Sequence, residues 1–341
     1  MNAQVDPDRA RGLMVGLAVG NLLGIGVEGW SRPRIAQRYP DGIREITAEV
    51  GSPDDDDLAQ AIILAEATAE GALDIDDLGR RFWQWAEVNG AGMGILTHEV
   101  LALYGGDAPR FGGRGRSAED ARAPNGCSII EASRRAWAGH RAGNGALMRC
   151  APIAIRWHAD PLRLVRESVI STVPTHWDPR CGWSCALANL AIAGALREEA
   201  LSAEDLLRRS TEGVAAALPE LRRYDYGKEP PVSVREAVAE ASEARLEDLR
   251  FDGSDMGYTL LTLQAALICW WRAEDFESAL REVVESGGDT DTNGAVVGAV
   301  LGARFGLDGI PPAWRAKTSA IRAGSISMES YADRVNEAVG A

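Results

Sequence analysis

The spacing of hydrophobic residues along the chain is typical of helices. Apolar side chains from Leu58 to Ala65 recur at helical spacing after an acidic start, which gathers them on one face. Longer runs, in which nearly every position is apolar, predict helices inside a large core. These runs are residues 13–27, 185–196 and 260–271. Residues 294–303 add a helix in which small side chains recur every three or four positions, so that neighbouring backbones can approach closely.

Signals for β-strands are few. No alternating apolar–polar run exceeds a few residues, and alternating strand–helix units are absent. The pattern therefore predicts an all-α fold. Residues 105–126 hold two Gly-Gly pairs and show no periodicity, which predicts a flexible flap, and residues 219–232 form a second predicted connection. Neither segment divides the chain, so we expect a single domain over residues 1–341.

Composition and charge narrow the class of protein. The 341 residues are 46% hydrophobic and 25% charged, as in a globular protein, and the formal net charge is −14. This charge disfavours passive binding to nucleic acid and docking on anionic membranes. The five cysteines lack the paired spacing of a zinc site, so we expect buried thiols. Acidic residues offset the two arginines before the first apolar run, which indicates a buried helix in a cytoplasmic protein rather than a targeting signal or a membrane span.

An acidic segment stands directly before Leu58. Ser52 and Pro53 lead into four consecutive aspartates, Asp54 to Asp57. A serine cap, a proline in the first turn and one or two acids would stabilise a helix start without any further function. Four adjacent carboxylates repel one another, however, and a bound divalent cation such as Mg²⁺ or Ca²⁺ would compensate that repulsion. For this segment alone both interpretations stay open.

A second acidic segment opens the helix of small residues. After a Gly-Gly pair that permits a tight turn, Asp289, Asp291 and Thr292 offer oxygen ligands. The two segments lie far apart in the sequence, but two helix N-termini can meet in one core. Facing each other, they would hold two metal ions about 4 Å apart, which activate a water and position the hydroxyls of a substrate.

Five short motifs follow one another along the chain. The first is a helix with Gly16, Gly20, Asn21, Gly24 and Glu28. The second comprises Asp55, Asp56 and Asp57 and is followed by Ala65-Glu66-Ala67. The others are a Gly-Asn-Gly-x-x-Met-Arg stretch at residues 143–149, the pair Thr175 and His176, and a Gly-Gly-Asp-Thr-Asp-Thr stretch at residues 287–292. In this order the motifs resemble those of the ADP-ribosylglycohydrolase family, and the resemblance covers most of the chain.

The resemblance implies a fold, a cofactor and an activity. The fold would be an all-α, compact orthogonal helix bundle, with two Mg²⁺ ions, or Mn²⁺, held between the two acidic motifs. The activity would be hydrolysis of the glycosidic bond between the terminal ribose of ADP-ribose and an acceptor, on a modified protein side chain or a small-molecule conjugate.

The resemblance also implies roles for individual residues. The implied metal ligands are Asp55, Asp56, Asp57, Asp289, Asp291 and Thr292. The implied catalytic residues are Glu28, Asp56 and Asp289, with Glu28 as general base or as the group that positions the ribose. The implied substrate-binding residues are Gly143, Asn144, Gly145 and His176.

Two positions depart from the family pattern. Asn21 stands where the family has an aspartate, and Asp55 stands where it has a metal-binding threonine or serine. The added charge at position 55 would tighten metal binding or change its geometry. In this alignment Asp54 is a spare acid, and a register shifted by one residue is the alternative. A non-catalytic ADP-ribose binder and a hydrolase of another ribosyl or glycosidic bond are the alternative functions.

Overall fold

The structure is a computed structural model, and it describes residues 4–47, 55–110, 121–137, 142–319, 321 and 326–340. Within these ranges the chain forms α-helices, short 3₁₀ turns and no β-strand, so the prediction of an all-α fold is confirmed. The helices are α1 (Pro7–Gly24), α2 (Arg32–Arg38), α3 (Asp56–Glu70), α4 (Ile75–Val88), α5 (Ile95–Gly105), α6 (Ile129–Trp137), α7 (Pro152–Trp157), α8 (Pro161–Thr172), α9 (Pro179–Leu196), α10 (Ala203–Leu221), α11 (Val232–Glu243), α12 (Thr259–Arg272), α13 (Phe276–Glu285), α14 (Thr290–Phe305), α15 (Pro312–Thr318) and α16 (Met328–Glu337).

The apolar runs of the sequence form the centre of the molecule. They become α1, α9, α12 and α14, in which nearly every residue is buried. Among the described residues one helical segment, Pro7–Val27, is long and apolar enough to cross a membrane, but 83% of its most apolar window lies inside the protein. A core helix of a large domain has these properties.

Helices α1 and α14 pack against each other along rows of glycine. Gly12, Gly16 and Gly20 of α1 contact Gly302, Gly298 and Gly294 of α14 in that order, so the two helices run antiparallel. A Cβ atom at any of these glycines would overlap a backbone carbonyl oxygen of the opposite helix. The missing side chains therefore let the two backbones touch, which fixes the end of α1 beside the start of α14.

The second predicted connection begins later than the sequence suggested. Pro219 lies inside the last turn of α10, which continues to Leu221. The helix continues because Leu218 and Leu221 are both buried against the core, and this burial outweighs the single backbone hydrogen bond that proline removes. The prediction of a loop from residue 219 was therefore wrong at its start.

The ends of the predicted flap are held in place. The buried carboxylate of Glu87 accepts hydrogen bonds from the guanidinium of Arg122 at 2.7 and 2.9 Å and from the backbone N–H of Arg110 at 2.8 Å. The bonds to Arg122 and Arg110 lower the pKa of Glu87 to about 2. The prediction of flexibility falls mainly on residues 111–120, which lie outside the described residues.

The cysteines are thiols, as expected. All five are free; Cys150, Cys181, Cys185 and Cys269 are buried, and Cys127 is partly buried. Burial raises the pKa of the Cys181, Cys185 and Cys269 thiols, which keeps them protonated and unreactive.

Candidate metal centre and active site

Two helix N-termini that carry acidic residues lie side by side. Asp55 caps α3 and accepts a hydrogen bond of 2.9 Å from the backbone N–H of Asp56. Asp289 occupies the cap position of α14, but its side chain makes no capping hydrogen bond. Repulsion extends from one helix start to the other, because Asp289 helps to raise the pKa of Asp55 and Asp291 helps to raise the pKa of Asp57. The two acidic segments of the sequence therefore share one site.

The carboxylates form two compact groups. Glu28, Asp289 and Asp291 each place one oxygen within 4.8 Å of the others, and so do Asp55, Asp56 and Asp57. Glu28 lies exposed at the rim, whereas Asp57 and Asp291 are only 1% and 6% exposed. The arrangement offers several carboxylate oxygens around a small volume, which suits a hard divalent cation.

The electrostatics of the site favour a cation. Burial is the main cause of the high pKa values: it raises the pKa of Asp56 and Asp57 well above the usual range, with repulsion from Asp55 adding to it. Burial and then repulsion from Asp289 and Glu28 raise the pKa of Asp291 to about 9. One carboxylate oxygen of Asp57 and one of Asp291 are buried with no hydrogen-bond partner in the described part of the chain. Buried carboxylates without partners are costly unless protons or metal ions neutralise them, so the residues present fit a metal site.

The Gly-Gly pair before α14 places Glu28 next to Asp289. The backbone N–H of Gly29 donates to the carbonyl of Gly288 at 2.8 Å, and the N–H of Gly288 donates to the carbonyl of Trp30 at 2.8 Å. Gly287 and Gly288 have φ values of +81° and +76°, which side chains rarely adopt. A Cβ at Gly288 would also overlap the carbonyl of Phe251. The loop that carries Glu28 is thus hydrogen-bonded to the loop that opens α14.

Asn144 contacts one of the predicted metal ligands, Asp289, directly. Its amide Nδ2 donates to Asp289 Oδ2 at 2.7 Å and approaches the Thr262 hydroxyl at 3.1 Å. The Thr262 hydroxyl in turn donates to Asn293 Oδ1 at 2.7 Å. Asn144 is 6% exposed, so its amide orients Asp289 within the protein. The flanking Gly143 and Gly145 complete a glycine loop, residues 143–145, which lies beside the ring of His176.

The ring of His176 lies against the glycine loop. Its imidazole is 4% exposed, and a Cβ at Gly145 would come within 3.1 Å of its ring. Burial is the main cause that lowers the pKa of His176 to about 3, with repulsion from Arg149 adding to it, so the ring is neutral. Little of the imidazole is therefore left for direct contact with a substrate, and its position indicates that it shapes the glycine loop.

A buried network joins His176 to the acidic cluster, and the sequence did not reveal it. Arg149, 0% exposed, donates to Gln60 Oε1 and, at 2.6 Å, to the Thr175 hydroxyl, which lies 2.8 Å from His176 Nδ1. Gln60 Nε2 lies 3.5 Å from Asp56 Oδ2. Because Thr175 already accepts from Arg149, its own proton is free to donate to His176 Nδ1, which leaves the imidazole proton on Nε2. The sequence had marked Arg149 as the end of one motif and Thr175 and His176 as another, but no signal connected them with Gln60, one helical turn after Asp56.

The sequence also did not reveal the contact that Asn21 makes. It lies on α1 with 0% exposure, and its Nδ2 donates to Asp55 Oδ2. The two positions that depart from the family pattern are therefore in direct contact. No spacing rule relates residues so far apart in the sequence, although both stood out as departures.

The remaining predicted residues are placed as follows. Thr292 is 6% exposed in the first turn of α14, adjacent to Asp291. Asp54 lies outside the described residues, so the alternative register of the first acidic segment stays a prediction. The structure thus brings the predicted acids, Glu28, Asn144 and the glycine loop to one site, with His176 behind it.

Comparison with known proteins identifies relatives that match most of the chain. The family model for ADP-ribosylglycohydrolase matches residues 1–340. The chain is 26% identical over 323 residues to the ADP-ribosyl-[dinitrogen reductase] glycohydrolase of Rhodospirillum rubrum, covering 91% of this chain and 90% of that protein. It is 26% identical to the ADP-ribosylarginine hydrolase Tri1 of Serratia proteamaculans (90% and 74% covered) and 26% identical to human ADP-ribosylhydrolase ARH3 (76% and 73% covered).

A solved structure supports the same assignment. An ADP-ribosylglycohydrolase-related protein complex contains a chain that is 26% identical to this one, with a TM-score of 0.59 and coverage of 97% of this chain and 98% of that one. The agreement of family model, relatives and fold over nearly all residues confirms the family resemblance. The protein belongs to the ADP-ribosylglycohydrolase family, a family of hydrolases.

Proposed function

We propose that the protein is a Mg²⁺-dependent hydrolase that releases ADP-ribose from an ADP-ribosylated protein side chain or small molecule in the cytoplasm. The observation that carries this proposal is the juxtaposition of two three-carboxylate groups at the starts of α3 and α14, with Glu28 at the exposed rim. The names of the relatives support an ADP-ribosyl conjugate as the substrate.

The residues that would hold two ions are the acids of both helix starts and one hydroxyl. They are Asp55, Asp56, Asp57, Asp289, Asp291 and Thr292. Bound Mg²⁺ or Mn²⁺ would supply an activated water and fixed contacts to the ribose hydroxyls. The protein's own contribution is to keep these oxygens together, and Asn144 holds Asp289 through its amide.

Glu28 is suited to move the proton. Water adds to the anomeric carbon of the terminal ribose as the bond to the acceptor breaks, through an oxocarbenium-like state. Although the Glu28 side chain is exposed, the surrounding protein removes part of the water around its carboxylate, and this desolvation, followed by repulsion from Asp289 and Asp55, raises the pKa of Glu28. A carboxylate with a raised pKa takes a proton from water and returns it to the departing acceptor more readily at neutral pH.

The test is a panel of ADP-ribosyl conjugates assayed for free ADP-ribose. The panel contains arginine, serine, nucleic-acid and small-molecule conjugates, with arginine first because one relative is named for that linkage. We expect turnover of at least one conjugate with Mg²⁺ and none with EDTA. The matched control is Asp291→Asn, which should not turn over the same conjugate. Tight ADP-ribose binding without cleavage of any conjugate would instead indicate a non-catalytic binder, and cleavage of another ribosyl bond alone would indicate a different substrate.

A further inference from the structure

We propose that Asn21 is a positioning residue of the metal site: its amide holds the carboxylate of Asp55 in place and thereby sets the first acidic group against the second. This inference rests on the proposed metal site and assigns a role in it to a residue of α1 that offers no carboxylate.

The position of Asn21 connects three helices. It follows Gly20, where a Cβ would overlap the backbone of Gly294, and lies three residues before Gly24, where a Cβ would overlap the backbone of Thr290 at the start of α14. From this point on α1, its Nδ2 donates to Asp55 Oδ2 at the cap of α3. Because α1 and α14 are in backbone contact, Asn21 links the start of α3 to the helix that carries Asp289 and Asp291.

The carboxylate of Asp55 is held through both of its oxygens. Oδ1 accepts the backbone N–H of Asp56 at 2.9 Å, and Oδ2 accepts the amide of Asn21. The first bond orients Asp55 relative to its own helix, whereas the second orients it relative to α1. Each carboxylate oxygen retains a lone pair for a cation, since a carboxylate accepts at about four sites in total.

The amide is the only suitable end of Asn21 for this contact. Turned around, Asn21 would place its carbonyl oxygen against the carboxylate, and two acceptors would repel. In the orientation present, Asn21 Oδ1 is buried and has no hydrogen-bond partner among the described residues. An unsatisfied buried carbonyl destabilises the fold. The hydrogen bond to Asp55 is therefore the one favourable contact that asparagine makes here and that an apolar residue of similar shape would not.

The first experiment compares Asn21→Leu with a matched control. Asn21→Leu removes the donor and keeps the branched shape of the side chain, and we expect the dissociation constant for Mn²⁺, measured by calorimetry, to rise by about tenfold or more. Asn189→Leu removes another fully buried asparagine, which donates to the carbonyl of Cys150 and the hydroxyl of Ser168 and not to an acid. It should lower the melting temperature in EDTA without weakening Mn²⁺ binding by the folded protein.

A second experiment remains informative if Asn21→Leu does not fold. Asp55→Asn weakens Mn²⁺ binding because a ligand charge is lost. Adding Asn21→Asp restores the charge and gives the new amide at position 55 an acceptor, which turns the amide's carbonyl oxygen towards the site. The double variant should therefore bind Mn²⁺ about tenfold more tightly than Asp55→Asn alone. Equal Mn²⁺ affinity of wild type and Asn21→Leu, or no gain in the double variant, would overturn the role of Asn21. Wild-type protein that binds no Mn²⁺ would instead refute the metal site itself.

Discussion

The hydroxyl of Thr290 donates a hydrogen bond of 2.8 Å to the backbone carbonyl oxygen of Gly24. This bond joins the last residue of α1 to the first residue of α14. The two residues can approach this closely because residue 24 has no Cβ, which would overlap the backbone of Thr290. The start of α14, which carries the proposed metal ligands Asp289 and Asp291, is therefore located by backbone contact rather than by flexible side chains.

The glycine rows should be intolerant of even a methyl group. In Gly298→Ala the new Cβ would overlap the carbonyl of Gly16, which no change of rotamer relieves. Alanine gains about 1 kcal/mol of helix propensity, but overpacking against backbone costs about 1–3 kcal/mol or more. We expect a lower melting temperature by calorimetry. In the control Gly253→Ala the new Cβ meets no atom within 4 Å, and a similar loss in both variants would contradict the backbone-contact interpretation.

Asp291→Asn should stabilise the protein without metal and destabilise it with metal. An acid whose pKa is raised by folding keeps a proton that the unfolded chain releases, so stability falls as pH rises from its ordinary value of 3.8 to about 9. Because asparagine does not titrate, Asp291→Asn lacks this loss of stability at rising pH. In EDTA the melting temperature of wild type should therefore fall relative to Asp291→Asn between about pH 5 and about pH 9.

In saturating Mg²⁺, wild type should be more stable than Asp291→Asn, the reverse of the order in EDTA. Free Mg²⁺ at 100 times its dissociation constant stabilises the native state by about 2.7 kcal/mol. Wild type should gain more stability from Mg²⁺ than a variant that lacks one ligand charge. Because Asp291 must lose its proton to bind metal, Mg²⁺ affinity should also rise with pH. Parallel pH curves for the two proteins, with and without Mg²⁺, would contradict the role of Asp291 as a ligand.

Glu28→Gln should remove catalysis and leave binding. Loss of a group that transfers a proton reduces turnover by roughly 10²-fold or more, while ADP-ribose affinity should change little because glutamine keeps the shape. Turnover of a proven substrate and ADP-ribose binding by calorimetry measure the two effects. The control Glu243→Gln changes an exposed glutamate on α11. Near-normal turnover in Glu28→Gln would return this residue to a surface role.

Arg149→Met should destabilise the core strongly. The guanidinium of Arg149 donates to Gln60, Thr175 and the carbonyl of Ser171. Its removal leaves buried acceptors unsatisfied, at about 1–3 kcal/mol each. Arg149→Lys should be only a partial rescue, because a lysine lacks the planar fork that reaches several acceptors at once.

The matched control for Arg149 is Arg208→Met. Arg208 is a half-exposed arginine paired with Glu212 at 3.0 Å on α10, and surface ion pairs contribute about 0–1 kcal/mol. Chemical denaturation of all three variants gives the comparison. If Arg149→Met were as mild as Arg208→Met, the buried network would have no structural importance.

Most of the fold could be predicted from the spacing of residues that are close in the sequence. Helix periodicity and apolar runs depend on neighbours in the sequence, so α1, α9, α12 and α14 could be predicted, as could the small residues that mark a close helix contact. The start of the second connection was misplaced because burial of Leu218 and Leu221, a tertiary effect, extends α10 past Pro219. Propensity alone does not report such burial.

The sequence by itself determined which residues had the chemistry of a metal site, because consecutive acids at a helix start exceed what capping requires. It also determined the family, through motifs in a fixed order. Only the tertiary structure decided that Asn144 holds Asp289, that Asn21 holds Asp55, and that Arg149 links Gln60 to Thr175. These contacts join residues far apart in the chain, and they depend on how closely the helices pack, which is set by the glycines of α1 and α14.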